Sequence, residues 1–344
     1  MKVLFLTQGP EAAPSSRYRV HQLVPHLRRL GIECVVSPAL DDARYQHIYR
    51  DNGSRLGAFA AIRRQRRADL RQLDNFDVVC VQKGAFPGLM SGIERQIATR
   101  KPMVFDFDDA IWLPRQGGNP LLRWLHRERT VQQILQQATA VVVGNEFLAD
   151  YARRFNAAVT VVPSAVDVSR YPVAKGASLI GWIGSRTTLP YLQPLAPVFR
   201  ELGVTPRVIA AGDPAALGFP VDFRRWGLDT ECDELAQLGI GVAPLPDTLW
   251  ERGKCGVKIL QYMACGLPVV ASPVGVQREL VRDGETGFLA ATPDQWRERL
   301  RQLLGDAGLR QRLGAAGRAL VAERYDVSVA AARVAKVLEA SAQT

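Results

Sequence analysis

Trp250-Glu251-Arg252-Gly253-Lys254-Cys255-Gly256-Val257-Lys258-Ile259-Leu260-Gln261-Tyr262-Met263-Ala264-Cys265-Gly266-Leu267-Pro268-Val269-Val270-Ala271-Ser272 carries three structural signals in one span. Glycines and lysines precede an apolar helical pattern, Gly266-Leu267-Pro268 stops it, and Val269-Val270-Ala271 reads as a buried strand. On a helix, Lys254, Lys258, Gln261 and Cys265 fall within roughly 60° of one another. Ile259, Leu260, Met263 and Ala264 form the packed side. A glycine-rich helix entrance flanked by lysines suits a phosphate, because its first amides are unpaired and the helix dipole favours negative charge. A buried helix with two solvated lysines is the plainer reading of the same residues.

The surrounding chain has 344 residues, too many for one ordinary core, so two domains are expected. No apolar run reaches the roughly 18 residues of a membrane span. The N-terminus, Lys2–Thr7, is too short an apolar stretch for a signal peptide and reads as a first strand. The five cysteines, 34, 80, 232, 255 and 265, lack metal-type spacing, and their odd number points to a reducing cytoplasm. Four histidines make a histidine-based metal site an unpromising idea. Charge is uneven: residues 1–170 hold 24 Lys and Arg against 16 Asp and Glu, and residues 171–344 hold 20 against 18. A basic first half suits an anionic partner, a membrane surface or a phosphorylated acceptor. Nucleic acid is not expected, because no reading motif or aromatic-basic interleaving is present.

In the first half, strands and helices alternate from Lys2–Thr7 to Val159–Pro163, the pattern of a doubly wound parallel sheet. The first strand is followed by Gly9, Pro10 and Pro14, not by G-x-G-x-x-G, so a dinucleotide cofactor is poorly supported. Ser16 is the expected cap of a helix over 17–30. Arg17 and Arg19 would then oppose that helix's dipole, which hints at a visiting anion or simply at solvated arginines. Residues 38–54 have no clean pattern, and Arg55–Leu73 reads as a helix with a basic face. Asp106-Phe107-Asp108-Asp109 ends a strand, where carboxylates in an open α/β sheet usually face a site. Alone, it fits a divalent metal, a phosphatase nucleophile or helix capping. Further on, a helix is expected over Leu121–Gln137, and Asn145 should cap the helix running to Arg154.

Residues 165–177, with Pro172 and Gly176, read as a linker between a domain over 1–164 and a second over 178–325. The second βα series opens with a strand entering Gly181-Trp182-Ile183-Gly184-Ser185-Arg186. Glycine there lets the backbone approach an oxyanion and Arg186 can grip it bidentately. A helix over Leu189–Leu202, further short strands and the quoted stretch follow, and the tail from Pro293 is helical with Tyr325-Asp326 as a break.

Two Rossmann-like halves, a linker and a helical tail resemble the GT-B glycosyltransferases, and family 4 (group 1) in particular. Gln261-Tyr262-Met263-Ala264-Cys265-Gly266-Leu267-Pro268-Val269-Val270-Ala271-Ser272 parallels the family's E-A-M-A-x-G-x-P-V-V-A-S, and the likeness continues through Gly275, Glu279 and Asp283-Gly284-x-x-Gly287-Phe288-Leu289. The resemblance implies two doubly wound parallel-sheet domains facing a cleft, with residues 326–344 as a helix crossing back onto the first domain. It implies a nucleotide-sugar donor on the second domain at Gly184, Ser185, Arg186, Lys254, Gly256, Lys258, Gln261 and Glu279. The acceptor belongs to the first domain, near Ser16, Arg17 and Arg19. The family's pair of glutamates with seven residues between them is altered here to Gly253 and Gln261, and Glu251 falls two residues early.

The expected chemistry is transfer of a sugar from a nucleoside diphosphate sugar to a sugar or lipid-linked acceptor, with retention of configuration. Neither cofactor nor metal is expected. Arg186, Lys254 and Lys258 would stabilise the departing diphosphate, and Asp108 or Asp109 would orient hydroxyls or, in an inverting enzyme, act as base. The rival readings are an epimerase of the same fold, a nucleotide-sugar binder without activity, and a phosphatase built on Asp106. A cytoplasmic protein, peripheral on the inner face of a membrane, fits the basic first half.

Overall fold

The computed structural model describes residues 1–49, 56–86, 92–113 and 127–344. The chain divides into two compact units. Unit 1 comprises Met1–Ala165, Gly253–Cys255 and Val327–Thr344, and unit 2 comprises Val166–Arg252 and Gly256–Asp326.

Unit 1 is built on a six-stranded parallel sheet in the order β2-β1-β3-β4-β5-β6. The strands are β1 (Lys2–Thr7), β2 (Glu33–Pro38), β3 (Val78–Gln82), β4 (Met103–Phe107), β5 (Ala140–Val143) and β6 (Val159–Val161). The central strands β3 and β4 are buried throughout, and their β-branched and aromatic runs are what a parallel sheet covered on both faces requires. On one face Leu4, Leu6, Val79, Val81, Phe105 and Phe107 pack with Ile134, Leu135 and Leu148. On the other, Val3, Phe5 and Val104 pack with Val24, Leu27, Val334 and Leu338. The last two lie on the helix Val327–Ala342, so the C-terminal helix is part of the core of unit 1. Sequence order reverses between β1 and β3, the switch point at which open α/β sheets bind ligands beyond the carboxyl ends of their strands.

Unit 2 holds β7 (Ile180–Gly184), β8 (Arg207–Ala210), β9 (Asp222–Arg225), β10 (Ile240–Ala243), β11 (Val269–Ala271) and β12 (Gly287–Leu289), all parallel. Their order, β12-β11-β10-β7-β8-β9, is the Rossmann order with its switch point between β7 and β10. Trp182, Leu192, Val198, Val208, Val242, Val270 and Leu300 form its core. Val166 and Tyr171, in the expected linker, are buried in this unit. Val166 N donates to Tyr325 O at 3.0 Å and Val168 N to the Asp326 carboxylate at 3.2 Å.

Several local expectations are corrected. The continuous helix over 17–30 is instead a turn at Pro14–Ser16, a π-helical turn at Arg17–His21 and a short helix at Val24–Arg29. Residues 38–54 are not patternless in their described part: Asp42–Tyr49 is a helix whose start Asp41 secures, its carboxylate accepting from Arg44 N at 2.8 Å. The expected helix over 189–202 is a 3₁₀ segment, Leu189–Leu195, followed by an α-helix at Ala196–Glu201. Pro194 lacks an N–H and breaks the α-helical ladder there. The expected starts of two helices, Arg55 and Leu121, lie outside the described residues. Asn145 does cap its helix, Glu146–Ala152, accepting from Leu148 N at 3.0 Å.

Candidate functional site

In unit 1 the carboxyl ends of β1, β3, β4 and β5 gather a compact set of charges. Pairing of Gln82 with Asp106 sets the register that brings Lys83, just past β3, beside the turn that follows β4. The Lys83 ammonium lies 2.8 Å from Asp108 Oδ1 and 2.5 Å from Asp109 Oδ2. Asp109 Oδ1 accepts from Lys254 Nζ at 3.0 Å. The Ser15 hydroxyl donates to Asp108, 2.6 Å from Oδ1 and 2.5 Å from Oδ2. Burial opposes the charge on Asp109, but the Lys83 and Lys254 ammonium groups outweigh it and hold its carboxyl well below the usual carboxylate range. Burial likewise opposes the Lys83 charge, and Asp108 and Asp109 override it, holding the ammonium above the ordinary lysine range.

The third carboxylate has another task. Asp106 is buried and paired with Arg19, whose Nε and Nη2 donate to it at 3.1 and 2.5 Å while Nη1 donates to Val162 O at 2.6 Å. Arg19 is therefore a core cross-link between three segments of unit 1, which corrects its assignment to an acceptor. Arg17 is 2% exposed, with its guanidinium over the Tyr18 ring at 4.6 Å and Nη2 donating to the Tyr18 hydroxyl at 3.0 Å. It does not stand in solvent at a helix start. Ser16 makes no cap bond; it is buried and accepts from Gly9 N at 3.3 Å. Its neighbour Ser15 is the hydroxyl that reaches a carboxylate. Ser15, Lys83 and Asn145 are the site residues that sequence reasoning missed, although a lysine directly after a central strand was a usable signal.

Lys254 is also relocated. Gly256 adopts φ +67°, and the helix begins only at Val257, so Lys254 is off the helix and the expected line of Lys254, Lys258 and Gln261 does not form. Residues 253–255 instead belong to unit 1. Asn145 Nδ2 donates to the carbonyls of Gly253 and Lys254 at 3.1 and 3.2 Å, and the Cys255 thiol donates to Asp108 O at 3.2 Å. A Cβ on Gly253 would stand 2.9 Å from the backbone nitrogen and Cβ of Ala110, so the site of the family's first glutamate has no room for a side chain. Glu251 does not replace it: that carboxylate is buried and accepts from the Tyr191 hydroxyl at 2.6 Å.

In unit 2, Gly184 ends β7 where a Cβ would lie 2.4 Å from the Trp182 ring, and exposed Ser185 and Arg186 follow. The helix Val257–Ala264 is tied to the same strand, for the Tyr262 hydroxyl accepts from Ile183 N at 2.9 Å. Its first turn carries Lys258, a cation at the end where the dipole disfavours one, with Nζ 4.3 Å from the Trp182 ring centre. Gln261 is 4% exposed with Nε2 3.5 Å from the Tyr171 hydroxyl, and Glu279 is exposed on the helix Gln277–Leu280. Thus Lys258 and Gly184 both border the Trp182 ring at the end of β7, Arg186 lies against Gly212 beyond β8, and Lys254 is paired in unit 1.

Two Rossmann-type units of this topology define a GT-B protein. Glycosyltransferase Family 4 matches residues 17–170 and Glycosyl transferases group 1 matches residues 219–306. The chain belongs to the family 4 glycosyltransferases. The phosphatidyl-myo-inositol mannosyltransferase of Mycobacterium leprae is 41% identical over 86 residues, which is 24% of this chain and 23% of that protein. The aligned stretch therefore spans under a quarter of that relative. Among solved structures, sucrose-phosphate synthase from Thermosynechococcus elongatus superposes with a TM-score of 0.74 at 16% identity, covering 98% of this chain and 97% of that one. Anabaena HepE in complex with UDP-glucose superposes with a TM-score of 0.73 at 17% identity, covering 99% and 100%. At these identities the superpositions speak to the fold. Among the described residues no helix is long and apolar enough to cross a membrane.

Proposed function

We propose that the protein transfers a sugar from a nucleoside diphosphate sugar to an acceptor hydroxyl, with retention of configuration. The observation that carries this reading is the meeting in unit 2 of the end of β7 with the start of the helix Val257–Ala264, beside the switch point between β7 and β10: the Lys258 ammonium lies 4.3 Å from the centre of the Trp182 ring, which a Cβ on Gly184 would meet at 2.4 Å. Narrow glycines, helix amides and two cations are the equipment for a diphosphate, whose charge grows as the anomeric C–O bond breaks. Gln261 and Glu279 are assigned to ribose and sugar hydroxyls. The mannosyltransferase relative and the UDP-glucose complex of HepE make UDP-glucose and nucleoside diphosphate mannoses the first donors to try.

Unit 1 is assigned to the acceptor. Asp108 already receives a hydroxyl, that of Ser15, and an acceptor hydroxyl would take the same kind of bond. In the transfer the acceptor oxygen bonds to the anomeric carbon, the bond to the diphosphate breaks, and the acceptor proton passes to the departing phosphate. Asp109, held anionic between two ammonium groups, is a poor proton acceptor at neutral pH and serves to anchor Lys254. A lipid-linked acceptor at an anionic surface fits the exposed Arg63, Arg64, Arg67 and Arg71 on the helix Leu56–Arg71. Flotation with anionic vesicles at low salt tests that part.

The deciding experiment is a thermal-shift screen of nucleoside diphosphates and their sugars. A donor at 100 times its Kd should add about 2.7 kcal/mol of stability to the folded state. Lys258→Ala or Arg186→Ala should remove most of that shift. A chain that no nucleotide stabilises, and that transfers none of the sugars tried, does not fit this function.

A further inference from the structure

Among the described residues Lys83 alone of the non-glycine residues has a positive φ, +59°. The turn is held from several sides. Lys83 N donates to Asp106 O at 2.7 Å and Lys83 O accepts from Gln8 Nε2 at 2.9 Å. Ala85 N donates to the buried Glu94 carboxylate at 2.7 Å, and Ala85 O accepts from the buried Arg66 Nε at 2.6 Å. Gly84, at φ +107°, completes the turn. A left-handed residue other than glycine persists only where its surroundings over-determine it. Glycine or asparagine would take this conformation with less strain, so the backbone does not explain a lysine. The side chain does. Its ammonium is the group that bridges Asp108 and Asp109, at the switch point of the sheet.

We infer that Lys83 is a positioning residue: it locks the two carboxylates in one arrangement, with Asp108 turned to a hydroxyl and Asp109 held between two ammonium groups. The inference rests on the reading of unit 1 as the acceptor side. Asp108 is faced by Ser15 and Lys83, with Arg19 and Cys255 also close enough to couple to its charge. Asp109 is faced by Lys83 and Lys254, and Asp106 is turned to Arg19. Among the described residues, removing the Lys83 charge therefore leaves Asp109 with one cation and Asp108 with none in direct contact.

The test follows aspartate carboxyl carbons by NMR in the full-length protein, labelled at Asp Cγ, from neutral pH down to acid unfolding. In wild type the Asp109 signal should remain that of a carboxylate to the acid limit. In Lys83→Met and Lys83→Gln its midpoint should rise by about one pH unit or more, whereas Lys83→Arg should keep it low. Folded Met and Gln variants whose Asp108 and Asp109 signals follow wild type overturn the inference. So does failure of both neutral variants to fold while Lys83→Arg folds, since the lysine is then structural. The nucleotide-sugar melting shift provides the separate control. It should be unchanged in the Lys83 variants while transfer falls at least tenfold, and a wild type that binds no donor defeats the transferase reading but leaves the carboxyl titration readable.

Discussion

Gly144 and Gly253 show how far single atoms decide the unit 1 site. A Cβ at Gly144 would lie 2.2 Å from the Cys255 sulfur, inside any allowed contact. Gly144→Ala should therefore cost about 1–3 kcal/mol of unfolding free energy, the usual penalty for overpacking. Cys255→Ala in the same chain should recover most of it, a coupling that denaturant titration of the double-mutant cycle measures. Asp109 supplies a pH-dependent counterpart. Its folded-state pKa lies below the 3.8 of an unperturbed aspartate, so its contribution is complete above that value and is lost as pH falls below it. Asp109→Asn leaves Lys83 and Lys254 without that anion and should destabilise by about 3 kcal/mol at pH 7. The gap to wild type should narrow as the pH drops below 3.8. A gap constant down to acid unfolding would mean that the carboxylate charge is not what stabilises the cluster. The same geometry changes the meaning of the lost glutamate. Gly253 is where the loop touches Ala110, so Gly253→Glu should lower stability and should not raise activity.

At the scale of elements, the strands and their order-setting patterns were legible, because a parallel strand is announced by its own β-branched run and its glycine-rich exit. The glycine-marked start of the helix Val257–Ala264 was legible for the same local reason. What was not legible is phase. A π-helical turn at Arg17–His21 adds backbone that a 3.6-residue period does not foresee, and it turns Arg17 and Arg19 into the interior. Gly256 in the left-handed region cuts Lys254 from its helix, and no period reveals a sign of φ. Partnerships such as Arg19 with Asp106 and Asn145 with the 253–255 carbonyls join distant segments, which a single sequence does not report. Gly256 also makes an element-scale prediction. A Cβ there would lie 2.3 Å from Leu280, and the residue would be held at φ +67°. Gly256→Ala should destabilise the chain by about 1–3 kcal/mol and weaken donor-induced stabilisation beyond that loss, as melting curves with and without donor would show.

For the whole molecule the decisive fact is that neither unit is a contiguous piece of chain. Residues 1–165 contain every strand of the first sheet, yet one face of that sheet is covered by Val327, Ala331, Val334, Ala335 and Leu338 of the last helix. Burying the valines and the leucine of that group contributes roughly 1.5–3 kcal/mol each. Their sum rivals the 5–15 kcal/mol that holds a typical domain together. A fragment ending at residue 165 would expose Val3, Phe5, Val24, Leu27 and Val104 as one apolar surface and should be aggregated or molten, with little near-ultraviolet dichroism. Joining residues 327–344 to its C-terminus through a flexible linker should restore a cooperative unfolding transition and slow amide exchange in β1, β3 and β4. Leu338→Ala in the full chain should cost about 2–5 kcal/mol by the same packing. A fragment 1–165 that folds cooperatively alone, with exchange protection equal to that of the intact protein, would show the helix to be an accessory and not part of the core.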